Sequence, residues 1–305
     1  MKGVRRYTTR PMKELSQPAI LAPPPMVGRS LTFRVAPGCD VAKALVHLRD
    51  GLSLDCGVVG IGEPVVRALG REIPGLRTFP ALSGAACSVP STQQALCFLL
   101  RGPDRGAVFD LTNDIRELVR DAFLLVDSVD TFLYRQGRDL TRFEDGTENP
   151  KGKKAVQAAI VAEGEGLRGS SFAVVQRWVH DLARFGSFEA AHREQLIGRS
   201  AETNEELEDA PPFAHIKRAE QEHFDPPAFM VRRSMPWATT EQQGLEFVAF
   251  VESLDRYEIV LRRMLGLEDG IVDGLFSFSH PVTGGFYWAP PVRDGRLDLT
   301  ALGLH

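Results

Sequence analysis

The spacing of apolar and polar residues changes several times along the chain, and each change marks an element. Ser30 to Val35 alternates in the two-residue period of a strand. Asp40 then stands as the N-cap of a helical run, Val41 to Arg49, with Ala42, Leu45, Val46 and Leu48 near one side. Ser53 to Ile61 returns to strand character, Glu63 to Leu69 reads as a short helix, and Gly70 to Ser91 is a long loop dense in glycine and proline. Ala95 to Leu100 is a third strand. Residues 104 to 121 place Val108, Leu111, Ile115 and Leu118 at helical spacing, and Leu124 to Tyr134 is a fourth strand. The order β-α-β-β-α-β is the split unit of a ferredoxin-like domain.

The second half follows the same plan. Ser171 to Trp178 is an apolar strand, and Phe188 to Arg199 a helix ending near Gly198. Phe229 to Ser234 and Leu245 to Val251 are the next strands; Asp255 to Leu265 is a helix with Ile259, Leu261 and Leu265 inward. A strand at Leu275 to Ser279 precedes the Gly284-Gly285 turn and Phe286 to Trp288. No residue-level repeat links the halves, so their duplication follows from element order. The predicted class is α+β, with two ferredoxin-like halves at 29–136 and 137–298 and antiparallel sheets. An extended, proline-rich arm (1–28) precedes them and a short tail (299–305) follows. Such an arm cannot offset its ordering entropy unless it lies along a neighbouring subunit.

Composition narrows the function classes. With 43% hydrophobic and 25% charged residues over 305 positions, the chain reads as a soluble globular protein with ample core. A net charge of −4 and no basic face argue against nucleic-acid binding. Cys39, Cys56, Cys87 and Cys97 have no C-x-x-C spacing, so they read as small hydrophobes in a reducing compartment, and covalent c-type haem attachment is excluded. Arg5-Arg6 is followed by no apolar h-region, and no run approaches a membrane span, which points to the cytoplasm. The acidic run Glu205 to Asp209 lacks the ligand spacing of a calcium loop and reads as a solvated helix end.

Between the halves lies Arg142-Phe-Glu-Asp-Gly-Thr-Glu-Asn-Pro150, a polar stretch with two turn dipeptides, Asp145-Gly146 and Asn149-Pro150. Downstream come His215, in Phe-Ala-His-Ile-Lys-Arg218, and Arg232, in Arg-Arg-Ser-Met-Pro-Trp237. In this order and at these separations, the three motifs resemble the haem-site signature of the dye-decolourising peroxidases, most closely the type B branch. The resemblance extends to SSFAVVQRWVHDL, QLIGRSAETNEEL and HPVTGGFYWAP, so it is dense in the C-terminal half. That family is built from two ferredoxin-like halves, with haem held mainly by the second.

The resemblance implies one non-covalent haem b per chain, with His215 as its axial iron ligand. It implies that hydrogen peroxide oxidises dyes, phenols or other bulky donors through a ferryl intermediate. Asp145 then takes the distal acid-base role, and Arg232 stabilises charge on the departing oxygen. The resemblance favours Arg232 over Arg233, because the family's pattern reads arginine, any residue, then serine or asparagine. Neighbours on a strand face opposite sides, so only one arginine can face the haem, and Ser234 shares the face of Arg232, placed to hold the distal water or peroxide. Gly146 and Thr147 lie in the same cofactor-binding loop, and Arg199 matches an arginine near a haem propionate. The other nitrogen of His215 needs an acceptor, for which Asp255 is the first candidate and Glu258 the next.

Two positions depart from the family pattern: Arg142 stands where the family has glycine, and Ala238 follows the aromatic of the arginine motif in place of another. Two other readings stay open, a haem carrier or iron-release protein with incidental peroxidase activity, and an interaction module without haem. A homo-oligomer is expected, since ferredoxin-like sheets often pair across subunits. Some relatives enter encapsulin shells by a C-terminal tail; here no long tail follows Pro291, and Leu297, Leu299, Leu302 and Leu304 are its main apolar hints.

Overall fold

The structure, a computed structural model, describes residues 11–305; Arg5-Arg6 lies outside the described residues. Strands β1 (Val27–Val35), β2 (Gly57–Gly62), β3 (Leu96–Gly102) and β4 (Phe123–Phe132) are connected through helices α1 (Val41–Gly51) and α2 (Arg105–Val119). They lie in the order β2-β3-β1-β4, all neighbours antiparallel. The second half contains β5 (Ser171–His180), the pair β6 (Val231–Arg232) and β7 (Met235–Ala238), β8 (Gln243–Val251), and the pair β9 (Ser279–Pro281) and β10 (Gly285–Ala289). Its helices include α3 (Ala190–Ile197), α4 (His215–Arg218) and α5 (Leu254–Met264). Here β9 and β10 share one edge of β5, β8 takes the other, and β6 and β7 lie beyond β8. Both halves therefore have the strand order of a ferredoxin-like unit, as the element order predicts.

The two sheets join at both edges. Tyr287 and Trp288 of β10 pair with Gly62 and Ile61 of β2, and Thr131 of β4 pairs with Trp237 of β7. The strands consequently close into a ring, which removes most free edges. Strand alternation then sorts the side chains. Val58, Cys97, Ala173, Val175, Val248, Phe250 and Tyr287 form one buried cluster inside the ring. On the outside, Leu31 and Phe33 join α1 and α2 in a second cluster, which also holds Phe172, Val174 and Trp178 with Leu254, Tyr257 and Leu261 of α5. Burial pushes the Cys56 thiol up to about 12 and Cys97 higher still, so neither is a ready nucleophile.

Several boundaries differ from the periodicity. The expected strand at Leu275 to Ser279 is mostly a 3-10 turn, Gly274–Ser277, because Asp273 caps it by accepting from Leu275 N at 2.8 Å; the strand starts only at Ser279. Residues 205–209 are not a helix end but part of a turn-rich, exposed loop. Helix α3 does stop at Gly198, whose φ of +94° is the left-handed cap that glycine adopts without strain.

The described part of the N-terminal arm is docked on its own chain, not extended. Leu15 and Ile20 are buried, and the buried Gln17 carboxamide donates to Val59 O (2.9 Å) and Pro290 O (3.2 Å) while accepting from Val59 N (2.9 Å). This amide bonding anchors an arm whose composition alone predicts no fixed place. Leu297, Leu299 and Leu302 are likewise buried, so these apolar residues belong to the core and are not offered to a partner. Among the described residues no helix is long and apolar enough to cross a membrane.

Candidate active site

A cavity of about 1560 Å³, counted to its open mouth, lies on the outer face of the second sheet. Its back wall follows directly from strand alternation: Gln176, Trp178 and His180 of β5, with Leu245 and Phe247 of β8, all face it. Val260 and Met264 of α5 add apolar surface, and the loop 144–148 overhangs one side. His215, Asp145, Arg232, Arg199, Gly146 and Thr147 all line this space.

His215 opens α4, seated against the end of α3. A side chain at Gly198 would collide with Ile216, so the glycine that caps α3 also permits this seating. His215 Nδ1 donates to Asp273 Oδ2 at 2.8 Å. That carboxylate is wholly buried, whereas the His215 side chain keeps 32% exposure on the cavity side. A carboxylate only accepts, so Nδ1 carries the proton and Nε2 keeps its lone pair for whatever the cavity holds. This corrects the expectation for Asp255, which is 76% exposed and paired with Arg77 at 2.7 Å; Glu258 holds the same arginine. Both lie on α5 and clamp Arg77, while Asp273 reaches His215 because its own N-cap turn fixes it below the imidazole.

Asp145 sits on a hairpin. Asp139 N donates to Phe143 O and Asp145 N to Gly137 O, with Arg138 bridged to Glu144. Asp139 and Asp145 are thus diagonal neighbours on one face of the hairpin. Asp145 is solvent-exposed and lines the cavity, with protein atoms packed around its carboxyl. Burial pushes its carboxyl above the usual range; Arg232 pulls it down, Asp139 pushes it up, and the Gly146 N–H and His215 lower it. Asp139 itself is held below the usual range: its burial is outweighed by the bonds from His180 and Thr141. His180, in the cavity wall, bonds Asp139 through Nε2 (3.1 Å) and Ser279 through Nδ1 (2.7 Å).

Arg232 and Arg233 do face opposite ways. Arg232 lines the cavity, and Arg233 donates to Leu21 O at 3.1 Å on the far side. Ser234 departs from expectation. Its Oγ accepts from Val248 N at 3.3 Å, which turns the hydroxyl onto β8, and it is not part of the cavity lining. Arg199 is buried and bonded to Glu206 (2.7 Å), Glu148 (3.1 Å) and Asn204 O (2.9 Å), joining the loop after α3 to the Asp145 loop. Thr147 stands in the same rim, its Oγ1 accepting from Asn204 Nδ2 at 3.0 Å.

Comparison with known proteins bears on this arrangement. The family described as "Dyp-type peroxidase, C-terminal" matches residues 136–294, just over half the chain and nearly all of the elements that build the cavity. The chain belongs to the Dyp-type peroxidase family. A dye-decolorizing peroxidase of Mycobacterium tuberculosis is 32% identical over 224 residues, 71% of this chain and 67% of that protein. The dye-decolorizing protein from V. cholerae superposes with a TM-score of 0.79 at 27% identity, covering 94% of this chain and 99% of that one. A single-residue variant of DypB from Rhodococcus jostii RHA1, solved in complex with heme, gives 0.85 at 26% identity, covering 94% and 98%.

In this Dyp-type peroxidase the departures from the family motif have a visible setting. Arg142 holds φ at +75°, so the position that favours glycine is left-handed and arginine occupies it with strain of about 1–2 kcal/mol. Its side chain is exposed, away from the cavity. Sequence reading missed Asp273, the pairing of His180 with Asp139, and the role of Asn149. Asp273-Gly274 carries a capping signal, but nothing local ties it to a histidine 58 residues earlier.

Proposed function

We propose that the chain is a haem b peroxidase that uses hydrogen peroxide to oxidise dyes, phenols or other bulky organic donors, with one non-covalent haem per chain. The observation that carries the reading is the meeting, in one cavity, of a carboxylate-backed imidazole with a carboxylate and a guanidinium. The cavity fits the group. Apart from the ionic rim its walls are largely apolar, and Gln176 Nε2 and Trp178 Nε1 are buried there without a protein partner. His215 would hold the iron through Nε2, Asp273 would keep the ring oriented and basic, and Arg199 lies where a propionate would meet it.

Bound haem supplies the redox chemistry, passing two electrons to peroxide and recovering them from the donor. The side chains supply the proton chemistry. Ionised Asp145 accepts the proton of one peroxide oxygen and returns it to the other as the O–O bond breaks, so that water departs. Arg232 stabilises the negative charge that grows on the departing oxygen. A carrier would need His215 and the apolar walls but has no use for the Asp145–Arg232 pair, so the carrier reading is the weaker. We also propose a homo-oligomer in the cytoplasm. The unpaired cysteines support a reducing compartment, and the exposed run Leu124, Leu125 and Val126 on β4 supports a covered surface. A monomeric mass by light scattering would defeat the oligomer.

The test is the visible spectrum of the hemin-loaded chain before and after one equivalent of peroxide. The ferric spectrum should change on peroxide addition and return on addition of a donor. His215→Ala should alter the ferric spectrum; Asp145→Ala and Arg232→Ala should each slow the peroxide step about 10²-fold or more. If peroxide only bleaches the native protein, it is a carrier. An unchanged ferric spectrum in His215→Ala refutes the ligand assignment.

A further inference from the structure

Arg232 and Asp145 line the same cavity, near enough for the guanidinium to act on the carboxyl, and the backbone of Arg232 explains how the two are kept in place. Arg232 lies opposite Ala249 in the ladder, and Arg233 N donates to Val248 O at 2.7 Å. Because alternate residues of a strand direct their N–H and C=O groups to alternate sides, those of Arg232 point away from β8. Without a further partner the N–H would be an orphaned donor at a strand edge, while the C=O also accepts from Arg233 Nη1 at 2.9 Å. Asn149 meets both. Its Oδ1 accepts from Arg232 N at 2.8 Å, and its Nδ2 donates to Arg232 O at 3.1 Å. One side-chain amide thus does for Arg232 what a neighbouring strand would do, and only a carboxamide presents a donor and an acceptor at that spacing.

The rest of the loop is built around this contact. Asn149 N donates to Gly146 O at 3.0 Å, closing the turn that follows Asp145. Gly146 has φ +73°, and a Cβ there would lie 2.7 Å from Asn149 Nδ2, so the amide occupies space that only glycine leaves. Pro150 biases Asn149 toward extended backbone. We infer that Asn149 is a positioning residue that fixes Arg232 relative to Asp145, through a contact that spans 83 residues of sequence. The inference rests on the peroxidase reading above.

The consequence is electrostatic as well as steric. Facing Asp145 are Arg232 from β6, Asp139 from the hairpin and His215 from α4. Glu144 and Glu148, on its own loop, are engaged by Arg138 and Arg199. Arg232 is the largest of the influences that lower the Asp145 carboxyl. Freeing Arg232 therefore raises that pKa further, and the acid limb of the peroxide reaction moves to higher pH.

Three measurements decide it. In the hemin-loaded protein, Asn149→Ala should slow the peroxide step by about 10²-fold, the scale of a misplacement near 1 Å, with the ferric spectrum and hemin stoichiometry unchanged. In an Arg232→Leu background the same substitution should cost less than about 3-fold, because the two changes remove one coupled arrangement. In the hemin-free chain, the Asp145 carboxyl followed by 13C NMR should titrate at higher pH in Asn149→Ala than in the native protein. Gly146→Ala, which displaces the amide, should reproduce all of these effects and serves if Asn149→Ala does not fold. Full additivity with Arg232→Leu, or an unmoved Asp145 titration, overturns the inference. If Arg232→Leu alone leaves the peroxide step unchanged, the peroxidase role of Arg232 fails instead.

Discussion

Asp139 shows how a single residue outside the recognisable motifs can govern the one inside it. Its ionised carboxylate, held by His180 and Thr141, sits diagonally from Asp145 and raises that residue's pKa. Asp139→Asn removes the negative neighbour, so the Asp145 carboxyl should ionise at lower pH. The acid limb of the peroxide rate should then move downward in pH, the opposite direction to Asn149→Ala; a stopped-flow pH profile checks both. Stability follows with its own sign. Because the folded Asp145 binds its proton more tightly than an unfolded aspartate, ionising it works against folding. Stability therefore declines as pH rises from the ordinary carboxylate range through the raised value. Asp145→Asn should remove that decline, as measured by urea midpoints across the same pH range. The motif positions themselves were legible: Asp145, Arg232 and His215 come together. Asp273 was not, because a buried acceptor 58 residues from its histidine leaves no local trace and several acidic residues compete for the role.

At the scale of elements, the strand β5 and the docked arm make contrasting cases. The sequence Gln176-Arg-Trp-Val-His180 is enough to predict that Gln176, Trp178 and His180 share a face, since strand geometry alternates by residue. Which face borders a cavity is decided by α5, which covers that side of the sheet. The arm behaves differently, because its proline-rich composition suggests an extended chain while its place depends on Gln17. Gln17→Ala leaves Val59 N and Val59 O, both buried, without their partner. It should lower the unfolding free energy by about 1–3 kcal/mol, read as a lower urea midpoint at unchanged slope. The ferric spectrum of the hemin-loaded protein should not change, because neither Gln17 nor its partners Val59 and Pro290 line the cavity.

For the whole molecule, closure of the two sheets into one ten-stranded ring leaves one face of the second sheet to be shared between α5 and a ligand. Binding there should stabilise the fold. At a free hemin concentration about 100 times the dissociation constant the gain is about 2.7 kcal/mol, and a thermal melt during titration should saturate at one hemin per chain. His215→Ala should reduce the upward shift. Taken by itself, the sequence determined the ferredoxin-like order of both halves, the family signature and the three residues that meet in the cavity. These depend on local periodicity and on motifs whose chemistry is carried by residue type. Tertiary structure alone decided ring closure, the docking of the arm, the Asp273 and Asn149 partnerships and the inward or outward turn of Ser234. Each of these pairs groups distant in sequence through hydrogen bonds or burial, and such pairings are selected only when the folded chain brings both partners out of water together.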